Sequence, residues 1–265
     1  MKEQKYKLKN VKSFELRDIF ECGQCFRWNE EAENSYTGVF GNNVINVSKT
    51  TKGIYFKGVC EKDIVNTVID YFDLDRDYNE IKRTLAKVDN NMKESIRYGE
   101  GIRILNQDLW ETIISFIISA NNNIPRIKGI IERLSKKYGK KIEFNNKKYY
   151  TFPTVEELKD VSVEEYRELG LGFRDIRLYE TTKMILNKDV DISKLNEIKD
   201  TNQVRDELLK LSGVGPKVAD CILLFSTLKR FDVFPIDVWV RRVMNDLYIH
   251  KEDEKNVSKK EILKL

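Results

Sequence analysis

Residues 109–119, Leu-Trp-Glu-Thr-Ile-Ile-Ser-Phe-Ile-Ile-Ser, are apolar on nearly every side of a helix. Such a helix has no face to offer water, so the rest of the chain must pack around it. Spanning a bilayer takes about 20 apolar residues, and no run in this sequence reaches that length. With 265 residues, 41% of them hydrophobic and 34% charged, the chain can build one large domain or two small ones. The opening MKEQKYKLKNVKSFEL has no apolar centre and reads as neither signal peptide nor anchor. The expected setting is intracellular.

The two ends of the chain differ in pattern. Residues 36–40 and 44–47 flank Gly41-Asn42-Asn43, a hairpin signal, and residues 53–58 read as a further strand. Their alternation suits a sheet with one wet face. From about Asp63 onward the pattern is helical. Residues 164–169, 174–186, 204–211, 217–228 and 238–244 read as helices beside the central one. Pro125 and Pro216 suit first helical turns. The expected fold class is α+β. An antiparallel β-rich domain over residues 1–100 packs on a mainly helical body over 101–265.

Composition narrows the chemistry. Cys22 and Cys25 form a C-x-x-C, but Cys60 and Cys221 are distant and His250 is the sole histidine. A four-ligand zinc site and a histidine-based hydrolase triad are therefore not expected. The net charge is only +4, yet residues 126–148 hold nine basic residues against Glu132 and Glu143, a net +7. Such a patch can neutralise phosphates. The plainer reading is a solvated, lysine-rich helix end.

Chemistry concentrates in Leu211-Ser-Gly-Val-Gly-Pro-Lys217 and in Phe234-Pro-Ile-Asp237. Gly213 and Gly215 allow a sharp turn between two helices and let backbone N–H groups approach a phosphate. A hairpin of this form grips a nucleic-acid backbone without reading bases. Lys217 falls in the first turn of the second helix, where the dipole opposes a cation and favours the nucleophilic neutral amine. Asp237 precedes an apolar helical run and reads as its N-cap. An amine and a held carboxylate suit covalent catalysis at a carbon that develops positive charge.

Further motifs lie in order along the chain: Gly23-Gln-Cys-Phe-Arg-Trp28, Gln107-Asp108, Ser119-Ala-Asn-Asn-Asn-Ile-Pro-Arg126 and Leu169-Gly-Leu-Gly-Phe-Arg174. With the hairpin and Asp237 they resemble the 8-oxoguanine DNA glycosylases of the helix–hairpin–helix DNA glycosylase superfamily, over nearly the whole length. The resemblance implies a bifunctional glycosylase and AP lyase acting on damaged double-stranded DNA as a monomer, without a required cofactor. Lys217 matches the nucleophile that attacks C1′, displaces the base and forms a Schiff base. β-Elimination then nicks the strand. Asp237 matches the aspartate that stabilises charge at the sugar. Gly23 matches the glycine whose carbonyl accepts N7–H of 8-oxoguanine, where guanine presents a lone pair instead. Cys221 matches the cysteine packed on the flipped base, and Asn121 the residue that fills the gap. Arg126 and Arg174 match the readers of the opposite cytosine, and Phe173 an aromatic wedge beside it. Gly213 and Gly215 belong to the DNA-gripping turn. Leu209, Leu211 and Val214 match carbonyls that hold a monovalent cation.

Two departures stand out. Trp239 replaces a histidine that contacts phosphate in many relatives. Relatives also continue into a helix carrying a glutamine and an aromatic residue for the flipped base. This sequence stops at Lys259-Lys-Glu-Ile-Leu-Lys-Leu265, and the expectation is that it ends short of that helix. Among other readings, a glycosylase for another damaged base often carries a C-terminal four-cysteine iron–sulfur cluster, whereas the last cysteine here is Cys221. Alkylated-base glycosylases usually lack the hairpin lysine. A non-catalytic DNA-binding module would need no Lys217–Asp237 pair.

Overall fold

The computed structural model describes residues 2–9 and 11–265. The chain runs through β1 (Glu3–Leu8), α1 (Leu16–Phe20), β2 (Trp28–Ala32), β3 (Ser35–Phe40), β4 (Asn43–Thr50) and β5 (Gly53–Val59). Helices α2 (Ile64–Tyr71), α3 (Tyr78–Leu85) and α4 (Asn90–Tyr98) lead to the central α5 (Leu109–Ser119) and to α6 (Ile124–Tyr138). A hairpin follows, β6 (Lys141–Phe144) and β7 (Lys147–Tyr150). The chain ends through α7 (Val163–Glu168), α8 (Asp175–Leu186), α9 (Thr201–Leu209), α10 (Pro216–Phe225), α11 (Val238–Met244) and α12 (Lys259–Ile262).

Strands β1 to β5 form one antiparallel sheet in the order β1-β5-β4-β3-β2. Period-two alternation divides its side chains. Tyr36, Phe40, Ile45, Val47, Ile54 and Phe56 face a core with Phe14, Phe20, Trp28, Tyr71 and Phe72. The opposite side chains Val39, Val44 and Val59 meet Ile142 and Phe144 of β6. The second face is thus partly dry, contrary to the expectation of a wet one, and the helical body is not wholly helical. The β6–β7 hairpin was hidden in the basic segment. Its two-residue turn, Asn145-Asn146, has φ of +50° and +60°, the left-handed pair that matches strand twist.

The basic segment is also partly neutralised. Lys137 pairs with Glu165 and Glu168, Lys140 with Glu157, Lys141 with Glu143 and Lys147 with Glu31. Arg133 and Lys128 donate to the carbonyls of Leu169 and Trp28. Arg126, Lys136 and Lys148 stay exposed without an ion-pair partner among the described residues, so only part of the net +7 is cancelled.

In the second core α5 is enclosed as its composition requires, with nine of its eleven residues buried. Asp108 caps its start, accepting from Glu111 N at 2.9 Å. α10 ends three residues before the expected 228, because Ser226 leaves the helix to bridge Gln107. Thr227 N donates to Gln107 O at 2.8 Å.

Two glutamines lock the cores together. Gln24 is 1% exposed. Its Nε2 donates to the carbonyls of Ile19 and Arg103, each at 2.8 Å, and its Oε1 accepts from Leu105 N at 2.9 Å. Gln107 Nε2 donates to Gln24 O at 2.7 Å and to Phe225 O at 3.1 Å. Replacing Gln24 by leucine strands three buried backbone groups, each costing about 1–3 kcal/mol. Gln24→Leu is therefore expected to lower unfolding free energy by about 3 kcal/mol or more in urea titration. A loss under about 1 kcal/mol would mean these groups find other partners.

Candidate active site

The turn between α9 and α10 is built on two unlike glycines. Gly213 has φ +82°. A Cβ there would sit 2.9 Å from Cδ of Arg177 and 3.1 Å from Cγ2 of Ile117. Both conformation and space therefore require glycine. At Gly215 a Cβ would meet nothing within 4 Å, so its backbone faces open space. Helix α8 buttresses the turn: Thr181 Oγ1 donates to Ser212 O at 2.8 Å, and Ser212 Oγ donates to Glu180.

Pro216 opens α10 and places Lys217 in its first turn. The ammonium of Lys217 lies 5.5 Å from the ring centroid of Phe116 on α5. That ring stacks on Phe225 and meets Phe26 edge-on, each at 5.7 Å. One turn beyond Lys217, Cys221 is 2% exposed. Burial chiefly raises its thiol to about 11, while Lys217 pulls the value down and Asp237 pushes it up. The thiol therefore feels both charged groups and stays protonated at neutral pH. Asp237 caps α11 as expected, one carboxylate oxygen accepting from Val240 N at 2.9 Å. Among the described residues, neither Lys217 nor Asp237 belongs to an ion pair. Amine, carboxylate and thiol thus converge from two helices, over an aromatic floor supplied by a third.

Gly23 lies in the loop before β2 with φ +83°, and a Cβ would meet nothing within 4 Å. The neighbouring Gln24 anchors this loop to Gln107 and so to the end of α10. Cys22 and Cys25 are free, and burial holds the Cys25 thiol well above its ordinary range. No group of three or more His, Cys, Asp or Glu is placed to hold a metal among the described residues.

A second cluster gathers at the end of α5. Asn121 is exposed with φ +50°. Arg174 is 1% exposed. Its Nε donates to Ala120 O at 2.9 Å, Nη1 to Leu171 O at 3.2 Å and Nη2 to Asn121 O at 2.7 Å. Most of its fork therefore supports the Asn121 loop. Arg126 is exposed and donates to Gly170 O at 3.1 Å. Phe173 is 55% exposed, hence not core, with Arg174 and Arg177 at 4.2 and 5.2 Å from its ring. Burial, then Arg126 and Arg177, lower the pKa of Arg174.

Other residues stand apart. Trp239 is 70% exposed and pairs with Arg242, 5.0 Å from its ring. The carbonyls of Leu209 and Val214 accept no backbone hydrogen bond among the described residues, whereas Leu211 O takes Val214 N at 3.1 Å. A hollow of about 800 Å³ lined by Lys82, Arg83, Lys93 and Arg97 contains none of the site residues. Sequence reasoning quoted Gln24 and Gln107 within its motifs but gave them no role, and it missed Phe116 and Arg177. Arg177 carried a signal, one helical turn after Arg174 and so on the same side of α8.

Residues 7–113 match the family model of the 8-oxoguanine DNA glycosylase N-terminal domain. A "Probable N-glycosylase/DNA lyase" of Methanothermobacter thermautotrophicus is 35% identical over 210 residues, covering 72% of this chain and 66% of the relative. The chain spans 41–66% of the length of the curated N-glycosylase/DNA lyases it matches. The crystal structure of Clostridium acetobutylicum 8-oxoguanine glycosylase/lyase in its apo-form superposes with a TM-score of 0.90 at 41% identity, over 99% of this chain and 92% of that one. Its complex with double-stranded DNA containing cytosine opposite 8-oxoguanine gives 0.89 at 42%, over 98% and 89%. Residues 114–265, more than half the chain and the part that holds Lys217, Cys221 and Asp237, match the model of the HhH-GPD superfamily base excision DNA repair proteins, and the chain belongs to that superfamily.

Proposed function

We propose that this protein excises 8-oxoguanine from duplex DNA and cleaves the strand at the resulting site. The observation that carries the reading is the convergence of Lys217, Asp237 and the buried Cys221 thiol beside the glycine turn. The likeness to solved 8-oxoguanine glycosylase/lyases at 41–42% identity supports the choice of lesion.

The chemistry runs as follows. The target nucleotide leaves the stack, at a cost of a few kcal/mol. The Lys217 amine forms a bond to C1′ as the glycosidic bond breaks, its electron pair departing with the base. Asp237 stabilises positive charge at the sugar, with one oxygen held by the helix cap and the other free to face it. Ring opening gives the Schiff base. Loss of a 2′ proton then expels the 3′ phosphate and nicks the strand. Cys221 lies one turn from Lys217, placed to pack on the extruded base. Gly23 accepts the N7–H of 8-oxoguanine through its carbonyl, an acceptor that guanine leaves unsatisfied. Asn121 enters the vacated space, and Phe173 wedges beside the opposite base.

Arg126 is the freer reader of an opposite cytosine, since Arg174 mainly holds the Asn121 loop. Gly213 and Gly215 bring the backbone close to phosphate, and Trp239 replaces the usual histidine contact with an exposed indole. The carbonyls of Leu209, Leu211 and Val214 suit a monovalent cation, because two of the three accept no backbone hydrogen bond. Such an ion would neutralise carbonyl dipoles at the helix end and stiffen the turn. Among the described residues no helix is long and apolar enough to cross a membrane, and genomic DNA is the proposed place of work.

Borohydride trapping on a duplex with one 8-oxoguanine opposite cytosine tests this reading. Wild-type protein is expected to give a covalent adduct on damaged DNA only. An absence of both adduct and base release would overturn it. Lys217→Gln should slow base release in single turnover by about a thousandfold or more while still binding lesion DNA. Turnover at the wild-type rate would exclude Lys217 as nucleophile. Asp237→Asn should cost about a hundredfold in the same assay. Arg126→Ala should shrink the preference for cytosine among the four opposite bases by about tenfold, without lowering the melting temperature. Arg174→Ala should in addition destabilise the fold by about 2 kcal/mol or more, since buried carbonyls lose their donor. Equal stability of the two arginine variants would refute this division of roles.

A further inference from the structure

We infer that Arg177 is an additional phosphate-binding residue, gripping the DNA backbone beside the glycine turn. The inference rests on the proposed action on duplex DNA and adds a contact that the recognised motifs do not include.

Arg177 lies on α8, one turn after Arg174, and is half-buried. Its stem packs where a side chain at Gly213 would otherwise go: the Cβ and Cδ of Arg177 lie 3.1 and 2.9 Å from that position. Its guanidinium carbon is 5.2 Å from the centroid of the exposed Phe173 ring. The charge is thus held between the backbone of the turn and the aromatic side chain beside it. Its neighbours on this side are cations. Arg174 is 4.2 Å from the same ring, and both Arg126 and Arg177 act on Arg174 as like charges.

The two acids of α8 bond to other groups, although Glu180 keeps its charge beside the turn. Asp175 is buried against Arg167 at 2.7 Å, and Glu180 accepts from Ser212. Among the described residues no ion pair includes Arg177. Three arginines gathered here, none of them paired with a carboxylate among the described residues, repel one another. An anion relieves that repulsion, and a guanidinium fork fits phosphate oxygens in a bidentate way. The open backbone at Gly215, with the N-terminus of the ten-residue α10, offers N–H donors on the same turn. A phosphodiester of duplex DNA is the anion that this surface fits. Lys137, Lys140 and Lys147 of the basic segment already have carboxylate partners, whereas Arg177 has none among the described residues.

The test compares wild type, Arg177→Gln and Arg177→Lys on undamaged duplex and on duplex carrying 8-oxoguanine opposite cytosine, across a series of salt concentrations. Gln keeps much of the stem that packs on Gly213, and equal melting temperatures check the fold. Loss of one phosphate contact should weaken binding to both duplexes by a similar factor, roughly three- to tenfold, and flatten the slope of log K against log salt by about 0.9. Arg177→Lys should recover most of the slope and part of the affinity. An unchanged slope and affinity in Arg177→Gln would overturn the inference. So would a loss confined to the damaged duplex, which would mean that Arg177 acts only by supporting Phe173. Wild-type trapping on the damaged duplex is scored separately. Its failure counts against the proposed activity, while a positive trap with an unchanged salt slope counts against Arg177 alone.

Discussion

Burial of α5 on every side is the constraint from which the site follows. A helix with nine buried residues in eleven needs partners all round. Those partners are the elements that carry chemistry. Phe116 forms the floor under Lys217 and touches Phe26 and Phe225. Ile117 helps to close the space at Gly213. The carbonyls just past the helix end hold Arg174 and so fix the loop of Asn121. One apolar segment therefore sets the spacing between the hairpin, the loop near Gly23 and the arginine cluster.

Polar links complete what apolar packing cannot specify. Hydrophobic contact is non-directional, and two cores pressed together could slide. Gln24 and Gln107 prevent this by satisfying buried backbone groups from three parts of the chain. Their bonds join the residue after Gly23 to the far end of the helix that bears Lys217. The proposed roles of the Gly23 carbonyl and the Lys217 amine require their separation to hold to a fraction of an ångström. Hydrogen bonds with fixed direction supply that.

Charge behaves differently from what composition suggests. Three lysines of the segment richest in lysine are tied up in ion pairs with glutamates from distant parts of the chain. Near the turn, Arg126, Arg174 and Arg177 have no carboxylate partner among the described residues, and Arg126 itself opens the basic segment. Exposed ion pairs add little stability, but they do remove charge from the field a polyanion meets. A net charge counted along sequence therefore does not by itself show how much of that charge is free, and the plainer reading of a solvated helix end fits this segment better.

Much of the local structure was legible in the sequence because its causes are local. Asp237 capping α11, Pro216 opening α10, the left-handed Gly213 and the enclosed α5 all follow from residue type and short spacing. The β6–β7 hairpin was missed because a run of lysines masked its Asn-Asn turn and its strands are only four residues long. The fate of each arginine was not legible either. Arg126, Arg174 and Arg177 have the same side chain, yet one is exposed, one is buried on carbonyls and one lies against a glycine. Sequence alone determined which residues could do chemistry and which turns could bring helices close, since backbone conformation and periodicity act over a few residues. Only the tertiary structure decided which charges remain free and which groups share one space, because those depend on partners tens of residues away.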